Sequence, residues 1–100
     1  MTLDQLRIFV AVAEREHVTR AAQAIHRTQS AVSAAIAGLE QQSGVTLFHR
    51  VGRRIALTEE GRMFLVEARA VVAQADAAER ALADLAGMKR GSLFIMASQT

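Results

Sequence analysis

The sequence predicts a mainly α-helical protein: three short helices, a two-stranded hairpin leaning on them as a wing, and one long helix behind. Three observations carry this. Apolar residues recur three and four apart through separate segments, the period of helices with one buried stripe. LFHRVGRRIALT, residues 47–58, reads instead as two short β-prone runs around a glycine-containing tip. Behind it an alanine-rich helical pattern runs on for far longer than so small a core can cover.

The first helix is predicted over Leu3 to about Arg15, with Leu6, Phe9, Val10 and Ala13 inward. Thr2 followed by Gln5 fits a capping box, in which each side chain satisfies the other's free backbone amide. Thr19 is the expected N-cap of a short second helix, Arg20 to Ile25, with Ala21, Ala22 and Ile25 inward. His26 and Arg27 make a tight connection without glycine, so one of them is expected at positive φ. Thr28 caps a third helix from Gln29 to about Gln42, with Val32, Ile36 and Leu39 as its buried stripe and Gly44 as its stop.

The strands are expected at Leu47–Arg50 and Arg54–Leu57, around Val51, Gly52 and Arg53. A lone hairpin is marginal, so it must lean on the helices. Thr58, followed by Glu59 and Glu60, opens the last helix: a hydroxyl cap, then acids near the positive end of the dipole. That helix is expected to reach about Ala86, roughly 42 Å at 1.5 Å per residue, with Gly87 as a stop. Phe64, Ala68, Val71, Ala75, Ala78, Leu82 and Leu85 alternate spacings of four and three, a coiled-coil seam. Phe64 and its neighbours should touch the winged core, whereas Val71, Ala75, Ala78, Leu82 and Leu85 should meet a second copy. The run Leu93–Ala97 is suited to a buried strand with nothing here to sandwich it, so the chain is expected to be the front of a longer protein. The expected domains are 1–58, the winged unit; 59–87, the dimerising helix; and 88–100, a hinge and the first strand of a further domain.

Composition bounds the function. There is no cysteine, so disulfide and thiolate-metal scaffolds are excluded and the cytoplasm is the expected compartment. No basic start leads into a long apolar run, so neither signal peptide nor membrane span is expected. The net charge of +2 is unevenly spread. Residues 17–58 hold five arginines (20, 27, 50, 53, 54) and one acid, Glu40, whereas residues 59–100 hold six acids and five bases. A positive middle is what a segment facing a polyanion needs.

The outward face of the third helix is the telling feature. Gln29, Ser30, Ser33, Ala34 and Ala37 are small, uncharged or hydrogen-bonding, where a helix meeting only water would carry charge. A major groove about 12 Å wide just admits a helix, and small side chains allow close approach. Gln29 can present a donor and an acceptor together to an adenine edge. Thr28, Ser30 and Ser33 can bond phosphates or bases, and Ala34 and Ala37 can touch thymine methyls. Gly52, Arg53 and Arg54 at the hairpin tip suit phosphates or a narrow minor groove. Short helices joined by a tight turn and followed by a basic hairpin describe a winged helix-turn-helix.

LDQLRIFVAVAE resembles the first helix, TRAAQAIHRTQSAVSAAIAGLE the helix-turn-helix, and GVTLFHRVGRRIALTEEG the wing and linker start of LysR-type transcriptional regulators. Leu47, Phe48, Arg50, Arg53, Leu57, Thr58 and Gly61 match that pattern, and the resemblance covers nearly all the chain. It implies double-stranded DNA as partner, read at pseudo-palindromic promoter sites by a homodimer with antiparallel linker helices, often doubled to a tetramer. It also implies a C-terminal domain binding a small-molecule effector, with Ser98 and Thr100 in ASQT as effector contacts. Arg27 and Arg50 join Arg53 and Arg54 as expected DNA contacts. Two departures stand out: Ala34 and Ala35 replace a frequent arginine and polar residue, and Ser30 replaces a frequent proline. The phosphate contact from position 34 is therefore not carried over.

Two rival classes are weighed. Against an enzyme, His17, His26 and His49 fall on separate elements, no glycine-rich phosphate loop is present, and Asp76, Glu79 and Arg80 interleave as a solvated face. No metal or cofactor is expected. The alternative reading, a coiled-coil dimerisation or scaffold module without DNA reading, explains the seam but leaves the basic hairpin and the small-faced helix without a purpose. An RNA partner is less expected than duplex DNA, because the chain lacks the aromatic side chains on which unpaired bases stack.

Overall fold

Helix α1 (Leu3–Arg15) begins at the predicted capping box: the Thr2 hydroxyl accepts from the Gln5 amide and the Gln5 side chain accepts from the Thr2 amide. It ends at Glu16 in the left-handed region, φ 50°. Helix α2 (Val18–Ala24) starts earlier than expected, because His17 rather than Thr19 is its N-cap. The backbone of His17 is extended and its Nδ1 accepts from the Arg20 amide at 3.1 Å, so the imidazole does what the Thr19 hydroxyl was expected to do. The turn into helix α3 (Gln29–Ser43) carries His26 at φ 57°, as the glycine-free connection required. Thr28 Oγ1 caps α3 by accepting from the Ala31 amide, and Gly44, at φ 71°, stops it.

Strands β1 (Phe48–Val51) and β2 (Arg54–Leu57) pair antiparallel, Phe48 opposite Leu57 and Val51 opposite Arg54, with Gly52 at φ 62° in the turn. Strand β1 runs one residue later than expected, Phe48 being the residue that pairs with Leu57 at the end of β2. Helix α4 (Glu59–Gln99) follows, its first turn closed by Thr58 Oγ1 accepting from the Gly61 amide.

The computed structural model describes residues 1–52 and 54–99, with residues 91–99 as backbone only. Within them the predicted end at Gly87 and the predicted strand at Leu93–Ala97 are both overturned: the helix continues through them to Gln99. A glycine inside a helix costs only about 1 kcal/mol, and Gly87 stands in open space with no clash to end the helix. A strand needs a neighbour to take its backbone hydrogen bonds, and only the β1–β2 pair forms a sheet among the described residues. The helix satisfies those groups within itself.

The core lies where α1 crosses the other elements. Phe9, Val12 and Val32 are fully buried. The Phe9 ring lies 5.4 Å from that of Phe48 on the wing and 5.0 Å from that of Phe64 on α4, so one side chain of α1 locates both. On α4 the stripe against this core is Leu65, Ala68 and Val72, beside half-buried Phe64. Asp76 and Glu79, expected to be simply solvated, reach Arg7 of α1 at 2.8 and 3.6 Å. Beyond them α4 leaves the core, and the molecule measures 69 × 24 × 19 Å.

Candidate nucleic-acid interface

The arrangement of α2, α3 and the wing follows from short-range chemistry. The left-handed His26 turns the chain sharply, and Ala21 and Ala22, both buried, let α2 approach its neighbours closely. With Val32, Ile36 and Leu39 in the core, the opposite side of α3 faces outward: Gln29, Ser30, Ser33, Ala34 and Ala37 are all exposed. Among residues 29–43 the one charged side chain is Glu40, and it points to the wing: its Oε2 accepts from the Leu47 amide at 2.7 Å and the Phe48 amide at 3.3 Å. The sole acid of the basic segment is thus occupied in pinning the hairpin to α3.

A cleft runs between α3 and the wing. At one end Gln29 and Ser33 meet Arg50 of β1 together with His17 and Thr19 of α2. At the other end Ser33 and Ala37 share it with His49, Arg50 and Ile55. Arg50 and Ser33 line both ends, so a cation and hydrogen-bonding groups are presented side by side. Ser30 and Ala34 are exposed on the same helix but do not line this cleft. The Thr28 hydroxyl accepts from the Ala31 amide as the cap of α3, which leaves its O–H as a donor. Arg54 is exposed on β2, and Arg53 lies outside the described residues.

Arg27 departs most from the reading of the sequence. Its guanidinium is forked on the Asp4 carboxylate of α1, Nη1 donating to Oδ2 at 2.9 Å and Nη2 to Oδ1 at 2.7 Å. The guanidinium's hydrogen bonds hold the Asp4 carboxyl below its ordinary range, and the carboxylate in turn raises Arg27. His17, Thr19 and Glu40 were not singled out as site residues. Glu40 carried a signal, as the lone acid among arginines. For His17 the signal was weak, because an imidazole cap is not among the preferred ones.

Of the expected dimerisation residues, Val71, Leu82 and Leu85 are 46%, 69% and 60% exposed. Ala78 is exposed too, whereas Ala75 is half-buried. The Ser98 side chain and Thr100 lie outside the described residues. Among the described residues no helix is long and apolar enough to cross a membrane.

A slim, cation-free helix face beside a basic hairpin defines the class: a winged helix-turn-helix, the fold of a DNA-binding module. The family described as "Bacterial regulatory helix-turn-helix protein, lysR family" matches residues 3–62. Over its whole length the chain is 41% identical to the RuBisCO operon transcriptional regulator of Allochromatium vinosum, of which it covers 33%. It is 48% identical over 92 residues to a probable hydrogen peroxide-inducible genes activator of Mycobacterium xenopi, covering 49% of that protein. Among solved structures it resembles a CbnR DBD–DNA complex, with TM-score 0.75 and 36% identity, over 83% of this chain and 97% of that one. The chain belongs to the lysR family of DNA-binding transcription regulators. It spans about a third of the length of the RuBisCO operon regulator. The scaffold alternative is not favoured by these relatives.

Proposed function

We propose that this chain seats α3 in the major groove of double-stranded DNA, with the wing's arginines on the adjoining backbone, and so directs a transcription regulator to its promoter. The carrying observation is the cleft in which Gln29, Ser33 and Arg50 stand together with no acid at the Gln29 end. Gln29 and Ser33 are the candidate base readers, with Ser30, Ala34 and Ala37 as the close-approach surface; Arg50, Arg53 and Arg54 are the candidate phosphate contacts. The role is recognition, not catalysis, in keeping with relatives that are transcriptional regulators. The compartment is the cytoplasm.

Two copies bind as a homodimer through Val71, Ala75, Ala78, Leu82 and Leu85 of α4, and dimers pair into tetramers in the whole regulator. Twofold symmetry in the protein matches a pseudo-palindromic site. Residues 88–100 lead on to an effector-binding domain, where Ser98 and Thr100 contact a small molecule. Footprinting on the DNA flanking its own gene, at two salt concentrations, tests the reading. The expected result is a protected dyad whose half-sites lie about 34–36 Å apart or a multiple of that, persisting at the higher salt while background protection fades. Protection that is equal on every sequence at both salts overturns it.

A further inference from the structure

We propose that Arg27 is a positioning residue of the recognition helix: its guanidinium, forked on Asp4, ties the α2–α3 turn to α1 and leaves phosphate contact to other arginines. This rests on the DNA-binding reading above and assigns Arg27 a different part in it.

The body of α3 is fixed by Val32, Ile36 and Leu39 in the core. Its first turn is not. Gln29, Ser30 and Ala31 are all exposed, and the bond from the Ala31 amide to Thr28 Oγ1 is local. Immediately before the cap stand His26, in the left-handed region, and Arg27, whose amide donates to Ala22 of α2 at 2.9 Å. The turn that presents Gln29 therefore hangs from two exposed residues tied to α2 through their backbone amides, His26 to Gln23 and Arg27 to Ala22. The Arg27–Asp4 fork adds a side-chain tie to α1. It bridges 23 positions to the first turn of α1, whose Leu6, Ile8 and Phe9 are buried just behind. A bidentate pair constrains direction as well as distance.

The same geometry argues against phosphate contact. The fork takes one N–H from each terminal nitrogen of Arg27 and holds the remaining donors in the plane set by Asp4. At a Debye length of about 8 Å the pair presents no net charge to a phosphate, so it adds little to counterion release.

The test measures binding by fluorescence anisotropy across a salt series. The probe is a duplex recovered by the unaltered chain from a randomised pool, and circular dichroism checks the fold of each variant. Asp4→Asn and Arg27→Gln should each weaken binding severalfold by similar factors, and the double variant should be no worse than either. The slope of log affinity against log salt should not change in the double variant or in the exchanged pair, both of which keep the net charge of the unaltered chain. Asp4→Glu and the exchanged pair Asp4→Arg with Arg27→Asp should restore most of the affinity, which a direct phosphate contact could not do. Exposed ion pairs add little to stability, so the variants should stay folded. If either single variant does unfold, the exchanged pair alone decides: weak binding by a folded exchanged pair overturns the proposal. Asp4→Asn tightening the complex, with Arg27→Gln lowering the slope by about one, would make Arg27 a phosphate contact. Binding unchanged in both single variants also overturns the proposal. Failure of the unaltered chain to recover any duplex sinks the DNA-binding reading itself, and this inference with it.

Discussion

Gln29 presents on the outer face of α3 an amide whose separate donor and acceptor can meet one base edge together, and the residue is exposed and lines the cleft with Ser33 and Arg50. Gln29→Ala should cost on the order of 1–3 kcal/mol at one base step and relax preference there, read from affinities for duplexes altered one pair at a time. Equal weakening on every sequence would make Gln29 a positioning contact instead. Asp4 offers a second measurement. Its carboxyl is held below the ordinary value by Arg27, so the pair's contribution is complete above that ordinary value and is lost as pH falls through the depressed one. Acidification from neutral to mildly acid conditions should thus leave the pair closed. Carboxyl carbon titration by NMR should place the Asp4 midpoint low, and Arg27→Gln should move it up; an unmoved midpoint would mean the fork is not formed in solution.

The junction of wing and α4 shows how much rests on single backbone positions. The Thr58 hydroxyl donates to the Thr46 carbonyl at 2.7 Å and accepts from the Gly61 amide at 2.9 Å, while the Thr58 amide donates to the Leu47 carbonyl at 3.0 Å. Gly61 is packed so tightly on that carbonyl that an added Cβ would overlap Leu47 O and crowd Leu57. Backbone cannot step aside as a flexible side chain can, so Gly61→Ala should destabilise by about 3 kcal/mol in thermal or urea unfolding. Full stability in that variant would mean the wing does not dock here. Elements set by neighbouring residues could be read from the sequence: the Thr2–Gln5 box, the Thr28 cap, the Gly44 stop and the hairpin around Gly52 all depend on spacings of four residues or fewer. The Thr19 cap was misplaced because His17, two residues earlier, starts the helix by accepting from the Arg20 amide. Pairs far apart in the chain, Arg27 with Asp4 and Arg7 with Asp76, have no local pattern to betray them. Exposed Gln29 and Ser33 could be foreseen because burial follows the 3.6 period, whereas the pairing of Arg27 with Asp4 could not.

At the scale of the whole molecule the question is what covers α4. Up to Asp76 and Glu79 the helix is held by Arg7 and by the core, and Arg69 adds a pair with Glu14 at 3.4 Å. From Ala78 to Arg90 every residue is exposed. The near end of the seam meets the core as expected, through Leu65, Ala68 and Val72 beside Phe64, while Leu82, Leu85 and Met88 stand about two-thirds exposed beyond it. An isolated helix of this kind is marginal in water, because propagation alone barely offsets the lost backbone entropy. A second helix laid along it would bury those side chains and supply tertiary support, as the proposed dimer requires. A cation placed in that seam would have to lose its hydration on association. Leu82→Lys should therefore shift the chain toward monomer in analytical ultracentrifugation, at concentrations where the unaltered chain is dimeric. Affinity for a two-half-site duplex should fall far more than for a single half-site, because linked binding is lost and not the contacts of either winged unit. A dimer that survives the substitution would show that the partner packs elsewhere on α4.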